Sequence, residues 1–340
     1  MPRRDDVWQE GTMGARVHDP EQVEAILDVF VAHGHTEIDT SRTYCGGTSE
    51  EMLGLIDWKA KGLKLETKLV AKHTDPKSSS EIQAFTKALS AEDIFHTYEV
   101  LPDMKKHILR SLKALNIDQL EMWYLHTPDR QTPYDVTMKA VSDLYKEGYF
   151  KKFAISNYMA WEVAEIVGIC KANGYIMPSA YQGLYNAVHR KAEPELFPCL
   201  RKYGISFYEF NPLGGGFFTG RYTSLEDQVE PGSRFDPNKP QGQNYRHRYW
   251  NEPYFEAMGS IQTVAEKHNL TMAEVALRWV SHHSLMKREY GDAILIGASS
   301  LKHIEQNMID LEKGPLPQEV VTALDEAWQS VKPFSSKYHH

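Results

Sequence analysis

The sequence predicts a single α/β domain built as a (β/α)8 TIM barrel. Short apolar runs typical of β-strands alternate with helical patterns, and no linker or change in composition divides the 340 residues. Strands that are apolar throughout are typical of parallel sheets that are buried on both faces. Repeated strand–helix units favour such a sheet, and the number of repeats favours a closed barrel over an open, doubly wound sheet.

Seven of the predicted strands have a clear apolar pattern. In chain order they are Thr36–Ile38, Leu63–Thr67, Leu120–Leu125, Lys152–Ile155, Ser179–Tyr181, Ile205–Glu209 and Ala293–Ile296. An eighth strand near Val7–Met13 is less clear because charged and polar residues interrupt its pattern.

Helix start and stop signals separate these strands. Asp19 and Pro20 begin a helix that ends at Gly34, and Thr132-Pro133 begins another that ends at Gly148. Thr271–Glu274 is a capping box, and two further helices are predicted at Trp161–Asn173 and Glu195–Tyr203. Two stretches, 74–101 and 225–252, are too long for ordinary connections and are predicted to be long loops.

The composition excludes several classes of protein. The net charge of −8 gives no positive field that would attract nucleic acid or anionic lipid. The basic aromatic stretch Tyr245–Trp250 is either a nucleic-acid patch or a packed surface loop, and the acidic chain favours the loop. No apolar run reaches the ~20 residues of a membrane span, and three irregularly spaced cysteines do not indicate a disulfide framework. We expect a cytoplasmic protein without nucleic-acid or membrane partners.

Nearly every predicted strand is followed by a polar or otherwise distinctive residue. Barrel enzymes build their active sites from residues at these strand ends. The candidates are Asp39, Tyr44, Lys68, His126, Ser156, Asn157, Gln182, Phe210, Asn211 and the segment Gly297–Ser299.

Four of these side chains suit protonation of an oxygen whose carbon receives hydride. A tyrosine hydroxyl titrates near pH 10, and a nearby ammonium lowers its pKa. Lys68 could act in this way on Tyr44, held by an ion pair with Asp39, while His126 could orient a carbonyl oxygen. None of these groups can supply hydride, so a nicotinamide is required.

The sequence lacks the G-x-G-x-x-G pattern of a Rossmann domain. The segment Asn211–Gly216 follows a strand instead, and two interpretations of its glycines remain open. Their backbone could bind a pyrophosphate, or they could simply form a tight turn. The pairs His33/His35 and His282/His283 lack cysteine or carboxylate partners at ligand spacing, so no metal site is predicted.

Several linked segments resemble the aldo-keto reductase superfamily, and the similarity is greatest to its aflatoxin aldehyde reductase and succinic semialdehyde reductase branch. The resemblance covers about residues 11–330. The segments that carry it are Gly34–Thr40, Tyr124–His126, Ser156–Glu165, Tyr181–Asn186 and Phe210–Leu213.

The resemblance implies a role for each candidate residue. Asp39, Tyr44, Lys68 and His126 would form the catalytic tetrad. The cofactor would be NADPH. Its carboxamide would be bound by Ser156, Asn157 and Gln182, and its nicotinamide ring would stack on Phe210. Asn211, Leu213 and Gly215 would lie in or beside the pyrophosphate loop, and the adenosine end would contact Ser299, His303, Gln306 and Asn307. His303 stands where many relatives have arginine, so it would give only a neutral hydrogen bond at neutral pH.

The resemblance also bears on the substrate and the assembly. Arg234 would either bind a carboxylate-bearing aldehyde or be an ordinary surface arginine. Stretch 74–101 would be an insertion on the catalytic face, and close relatives form homodimers. The predicted activity is NADPH-dependent reduction of aldehydes to alcohols, with ketones as a further candidate class of substrate. The alternatives are a regulatory protein resembling the potassium-channel β subunits and a biosynthetic reductase dedicated to one large substrate.

Overall fold

A computed structural model describes residues 15–70 and 100–340. The predicted eighth strand at Val7–Met13 lies outside these residues. So does the predicted insertion, except for Val100 and Leu101, which begin a helix.

The described part of the chain contains one sheet of seven parallel strands, which are hydrogen-bonded in chain order. Each of the seven clearly predicted strands is present; Leu120–Leu125 coincides with its prediction, and the ends of the others differ by at most three residues. The strands are β1 Glu37–Asp39, β2 Lys64–Leu69, β3 Leu120–Leu125, β4 Phe150–Ser156, β5 Ala180–Leu184, β6 Ser206–Phe210 and β7 Ala293–Ile294.

The sheet is strongly curled. Tyr208 of β6 donates a hydrogen bond to Glu37 of β1 at 3.1 Å, although four strands separate them. Gln182 of β5 reaches Asp39 of β1 at 2.9 Å. These contacts cross the concave side of the sheet, as in a barrel. Closure by an eighth strand remains a prediction, since its predicted position is outside the described residues.

Helices follow the strands along the chain. The described α-helices are Pro20–Ala32, Thr48–Leu53, Val100–Leu115, Tyr134–Lys146, Ala160–Asn173, Leu196–Tyr203, Pro240–Tyr249, Glu252–Lys267, Met272–His282, Leu301–Glu312 and Gln318–Val331. The predicted caps at two of them are present. The Asp19 side chain accepts from the amide of Glu21, and that of Thr271 accepts from the amide of Glu274.

One helix lies where the sequence predicted a loop. Residues 225–252 were predicted to form a long loop, but the structure has a helix at Pro240–Tyr249 within them. Its polar composition hides the helical spacing of Tyr245 and Tyr249, which are both buried. The Tyr249 ring stacks on Phe217 at 5.7 Å, so tertiary packing stabilises this helix.

Most of the apolar core lies between the sheet and the helices. A second, small cluster lies on the concave side and consists of Met122, Tyr124, Ala154 and Ala180, with Tyr208 packed against them. Because side chains alternate along a strand, this inner row continues toward the strand ends with the polar residues His126, Ser156 and Gln182 and with Phe210. Among residues 15–70 and 100–340, no helix has the length and apolar character needed to cross a bilayer.

Candidate active site

Lys68 and Asp39 form an ion pair at the ends of β2 and β1. Lys68 Nζ lies 2.6 Å from Asp39 Oδ2 and also donates to the Thr40 carbonyl at 3.0 Å. Lys68 is 1% exposed. Burial alone would lower the pKa of Lys68, but the charge of Asp39, the neighbouring hydroxyl of Tyr44 and the hydrogen bonds to both raise it, so the ammonium stays charged.

Tyr44 lies next to this ion pair. It begins a short 3₁₀ turn, Tyr44–Gly47, that follows β1, and Lys68 Nζ donates to its hydroxyl oxygen at 3.2 Å. The tyrosine is 37% exposed as a residue, so part of it lies at a surface that a substrate can reach, while its hydroxyl is enclosed beside Lys68. Asp39, Lys68 and Tyr44 therefore form a continuous hydrogen-bonded row from the sheet interior to the surface.

The net pKa of Tyr44 differs from the expectation. Enclosure of the hydroxyl by protein raises its pKa above the ordinary value, while the charge of Lys68 lowers it and that of Asp39 raises it. Lys68 thus acts in the predicted direction, but desolvation outweighs it. The result is a phenol that holds its proton at neutral pH, as a proton donor must.

His126 follows β3 and completes the predicted tetrad. Its ring meets that of Tyr44 edge-on with centroids 5.8 Å apart, and its Nδ1 lies 3.3 Å from Ser41 Oγ. Burial, Lys68 and His340 hold the pKa of His126 well below 6.5. The imidazole is therefore neutral at pH 7. If Ser41 donates to Nδ1, the proton lies on Nε2, which can donate to a carbonyl oxygen.

The three residues predicted to bind a carboxamide lie beside the tetrad. Asn157 Nδ2 donates to the His126 carbonyl at 2.9 Å and to Ser156 Oγ at 3.0 Å. Gln182 Nε2 donates to Asp39 Oδ1 at 2.9 Å. All three side chains are buried, Ser156 and Asn157 at the end of β4 and Gln182 in the middle of β5. The structure therefore brings Ser156, Asn157 and Gln182 together with Asp39 and His126.

Phe210 and Asn211 end β6 and lead into the glycine turn. Phe210 is half-buried on the concave side, two residues after Tyr208. Asn211 has a left-handed backbone with φ 70°, and its carbonyl accepts from Asn186. Its Oδ1 accepts from Tyr245, whereas its buried Nδ2 has no hydrogen-bond partner among the described residues.

The glycine turn packs under Tyr245. Gly215 has φ 70°, and a Cβ added there would lie 2.1 Å from Tyr245 Cε1. Both the backbone conformation and the space therefore require glycine at this position. The turn interpretation accounts for Gly215 without a ligand, and pyrophosphate binding by Gly215 and the half-buried Leu213 stays a prediction.

Arg234 lies on the Tyr44 side of this turn. Its Nη1 donates to Tyr245 Oη at 3.1 Å, and Tyr245 in turn donates to Asn211 Oδ1 at 2.8 Å. The arginine is exposed, and its charge lowers the pKa of Tyr44. Burial alone would raise the pKa of Tyr245, but Arg234 and Arg248 lower it below 10. Arg234 is thus near the candidate proton donor rather than on a remote surface.

The predicted adenosine-binding residues form a separate group around helix Leu301–Glu312. Ser299 Oγ lies 2.9 Å from His303 Nδ1, and Gln306 donates to Asp310 at 3.0 Å. Asn307 is buried, whereas Ser299, His303 and Gln306 are exposed. No hydrogen bond links these four to the tetrad among the described residues.

Sequence reasoning missed several neighbours of the site. Ser41 contacts both His126 and Thr43, and its position two residues after Asp39 could have indicated this. The chain's last residue also reaches the site, because the amide of His340 donates to the Asn157 carbonyl at 3.1 Å. Arg130 holds the His340 carbonyl at 2.8 Å. Nothing in the local sequence pattern signals a contact between residues so far apart.

Comparison with known proteins identifies the family. A family model described as the aldo/keto reductase family matches residues 8–329. The chain belongs to the aldo/keto reductase family. This aldo/keto reductase is 49% identical to an aldo-keto reductase of Pseudocercospora fijiensis, over 92% of its own length and 99% of the relative's.

Two human proteins are also similar to this aldo/keto reductase. It is 39% identical to aldo-keto reductase family 7 member A3 of Homo sapiens, over 94% of this chain and 92% of that one. It is 38% identical to aflatoxin B1 aldehyde reductase member 2 of Homo sapiens, over 97% of this chain and 88% of that one. The predicted resemblance to the aflatoxin aldehyde reductase branch is confirmed, and the family supports carbonyl reduction.

Proposed function

We propose that this protein reduces aldehydes to alcohols with NADPH and that Tyr44 donates the proton. The observation that carries the proposal is the row Asp39–Lys68–Tyr44, with bonds of 2.6 and 3.2 Å, beside the neutral imidazole of His126. The similarity to proteins named aflatoxin B1 aldehyde reductases favours aldehydes as the substrate class.

Each side chain of the tetrad has a separate role in protonating the carbonyl oxygen of the substrate. Nε2 of His126 donates a hydrogen bond that orients the oxygen, and Tyr44 transfers its proton to it as negative charge develops. Lys68 stabilises the resulting phenolate, and Asp39 keeps Lys68 charged and in place. The nicotinamide, when bound, supplies the hydride that none of these residues can provide.

The residues at the strand ends fit a nicotinamide cofactor. Asn211 Nδ2 is a buried donor without a protein partner in the described residues, and such a group needs an acceptor. Gln182 and Asn157 use their amide nitrogens within the site, which leaves their carbonyl oxygens to accept from a carboxamide. We assign Ser156, Asn157 and Gln182 to the carboxamide and Phe210 to the ring face.

We propose that the residues around helix Leu301–Glu312 bind the adenosine end of the cofactor. Ser299, at the start of helix Leu301–Glu312, and His303, within its first turn, are exposed, where a phosphate gains from the helix N-terminus. Gln306 and Asn307 lie on the same helix. We propose that Ser299 and His303 receive the 2′-phosphate of NADPH, with His303 contributing a hydrogen bond rather than the charge that an arginine would give.

Arg234 indicates the kind of aldehyde. The residue is exposed, and its guanidinium is held near Tyr44 by a hydrogen bond to the hydroxyl of Tyr245. A planar guanidinium binds a carboxylate through two parallel hydrogen bonds. We therefore propose aldehydes that carry a carboxylate as preferred substrates.

The test is NADPH oxidation with a panel of aldehydes, comparing the wild type with Tyr44→Phe. Turnover that the substitution reduces at least ~100-fold, with cofactor affinity retained, supports the proposal. Tight NADPH binding by the wild type without turnover on any aldehyde contradicts it and favours a regulatory nicotinamide-binding protein instead. Repeating the assay with NADH tests the choice of cofactor.

A further inference from the structure

Glu66 is a buried carboxyl group next to the tetrad. It lies on β2 two residues before Lys68, is 1% exposed, and is the register partner of Asp39 on β1. Tyr124 donates to its Oε2 at 2.7 Å, whereas Oε1 is buried and has no hydrogen-bond partner among the described residues. Asp39 and Glu66 are therefore two carboxyl groups side by side on neighbouring strands.

Only one of the two carboxyl groups is hydrogen-bonded to a cation. Asp39 accepts from Lys68 and Gln182, while the hydroxyl of Tyr124 is the sole hydrogen-bond donor to Glu66 in the described structure. Two carboxylates side by side, one buried and one half-buried, do not ionise together at neutral pH, so the one without a cationic hydrogen-bond partner keeps its proton. Burial and the charge of Asp39 raise the pKa of Glu66 to about 8.

The other charged and titratable groups that face Glu66 do not change this assignment. They come from β1, β2, β3 and β6 and are Glu37, Asp39, Lys68, Tyr124 and Tyr208. Glu37 adds further negative charge, and Lys68, which donates to Asp39 and Tyr44, lowers the pKa of Glu66 by less than the other groups shift it. Lys68 Nζ also lies 5.6 Å from the centroid of the Tyr124 ring, so Tyr124 contacts both Glu66 and the ammonium.

We infer that Glu66 is a positioning residue of the reductase, which acts through Asp39 and Lys68 and sets the pH at which Tyr44 loses its proton. The inference rests on the proposed function. At neutral pH Glu66 is a neutral acid. In alkaline solution it becomes an anion beneath the ion pair, offsets part of the charge of Lys68, and so keeps Tyr44 protonated to a higher pH.

The pH dependence of kcat for aldehyde reduction tests this role. Glu66→Gln keeps the shape of the neutral acid but cannot ionise, so the alkaline fall in kcat should move to lower pH by about half a unit or more. Tyr124→Phe removes the hydrogen bond that lowers the pKa of Glu66. That variant should move the alkaline fall in the same direction by a smaller amount, and it tests the inference even if Glu66→Gln does not fold.

Glu209→Gln is the matched control. Glu209 is also fully buried without hydrogen-bond partners in the described structure, and burial alone raises its pKa, with no contribution from the tetrad. This substitution should leave the alkaline fall where it is in the wild type. An active wild type whose profile coincides with those of Glu66→Gln and Tyr124→Phe overturns the inference.

A spectroscopic measurement separates this inference from the proposed function. The infrared difference spectrum between neutral pH and about pH 10 should show a protonated-carboxyl band that disappears in the wild type and is missing in Glu66→Gln. Loss of this band supports the titration of Glu66 even if no aldehyde is reduced, a result that would defeat only the proposed function. An identical band change in wild type and Glu66→Gln overturns the assignment of the proton to Glu66.

Discussion

Gln182 and Asp39 lie on β5 and β1 and are joined by a hydrogen bond of 2.9 Å between Nε2 and Oδ1. The bond crosses the concave side of the curled sheet. It connects a residue assigned to the cofactor carboxamide with the carboxylate that holds Lys68. The proposed carboxamide contact and the geometry of the proposed proton donor are therefore linked through one side chain.

Gln182→Met should weaken both functions. The substitution removes a hydrogen bond to a charged group and the proposed contact to the carboxamide, so we expect NADPH to bind about tenfold more weakly and kcat to fall. Cofactor fluorescence titration and steady-state kinetics measure the two effects. The control is Gln262→Met, which removes a surface hydrogen bond to Glu266. Unchanged NADPH affinity in Gln182→Met would contradict the carboxamide assignment.

Lys68→Met should remove the stabilisation of the Tyr44 phenolate. We expect kcat to fall by about 100-fold or more, with NADPH binding retained. Loss of one member of a buried ion pair should also lower the free energy of unfolding by about 3 to 5 kcal/mol. Urea denaturation gives this value. Lys61→Met, which breaks an exposed pair with Asp28, should change neither quantity appreciably, and equal losses in both variants would argue against a special role for Lys68.

Arg234→Gln should distinguish carboxylate-bearing aldehydes from neutral ones. Loss of a charge-assisted contact is expected to raise KM for the acidic aldehyde about 10- to 100-fold while leaving KM for a neutral aldehyde of similar size almost unchanged. Arg221→Gln, which removes an exposed arginine paired with Glu230, is the matched control. Equal changes in KM for both aldehydes would show that Arg234 does not bind the carboxylate.

His303→Arg should increase the preference for NADPH. A fixed positive charge beside Ser299 would attract the 2′-phosphate, so we expect KM for NADPH to fall about tenfold and KM for NADH to stay the same. His268→Arg adds the same charge at a position paired with Glu319, away from the proposed phosphate contact. A parallel change for the two cofactors would place the 2′-phosphate elsewhere.

Glu66 should also affect stability in a pH-dependent way. Its pKa is about 8 in the folded protein and about 4.3 when unfolded, so the folded state retains a proton that the unfolded chain releases. Its contribution to stability is complete below about pH 4 and decreases as the pH rises to about 8. Relative to the wild type, Glu66→Gln should therefore gain stability across this range, up to about 5 kcal/mol at roughly 1.4 kcal/mol per pKa unit.

Urea denaturation of both proteins at several pH values measures this gain. Glu256→Gln, at an exposed position on a helix, is the control and should follow the wild type at every pH. A difference between Glu66→Gln and wild type that does not change with pH would show that Glu66 has an ordinary pKa.

The sequence by itself determined the order of the elements. Seven apolar runs predicted seven strands, and caps such as Asp19 and Thr271 predicted helix starts that the structure contains. These features follow from local physics, namely hydrophobic periodicity and the unsatisfied amides at helix ends. The helix Pro240–Tyr249 was missed because its stability depends on Tyr245 and Tyr249 packing on distant residues.

The tertiary structure decided which of the polar side chains at the strand ends lie together, and whether each of them is protonated. It joined Gln182 to Asp39 and brought His340 to Asn157, contacts that depend on the curl of the sheet and on long-range packing. It also showed that desolvation outweighs Lys68 in setting the pKa of Tyr44 and that Asp39 lies beside a second carboxyl group, Glu66. The sequence shows which residues can carry charge. The energy of each charge depends on its burial and on its distance from other charges, and both are properties of the folded structure.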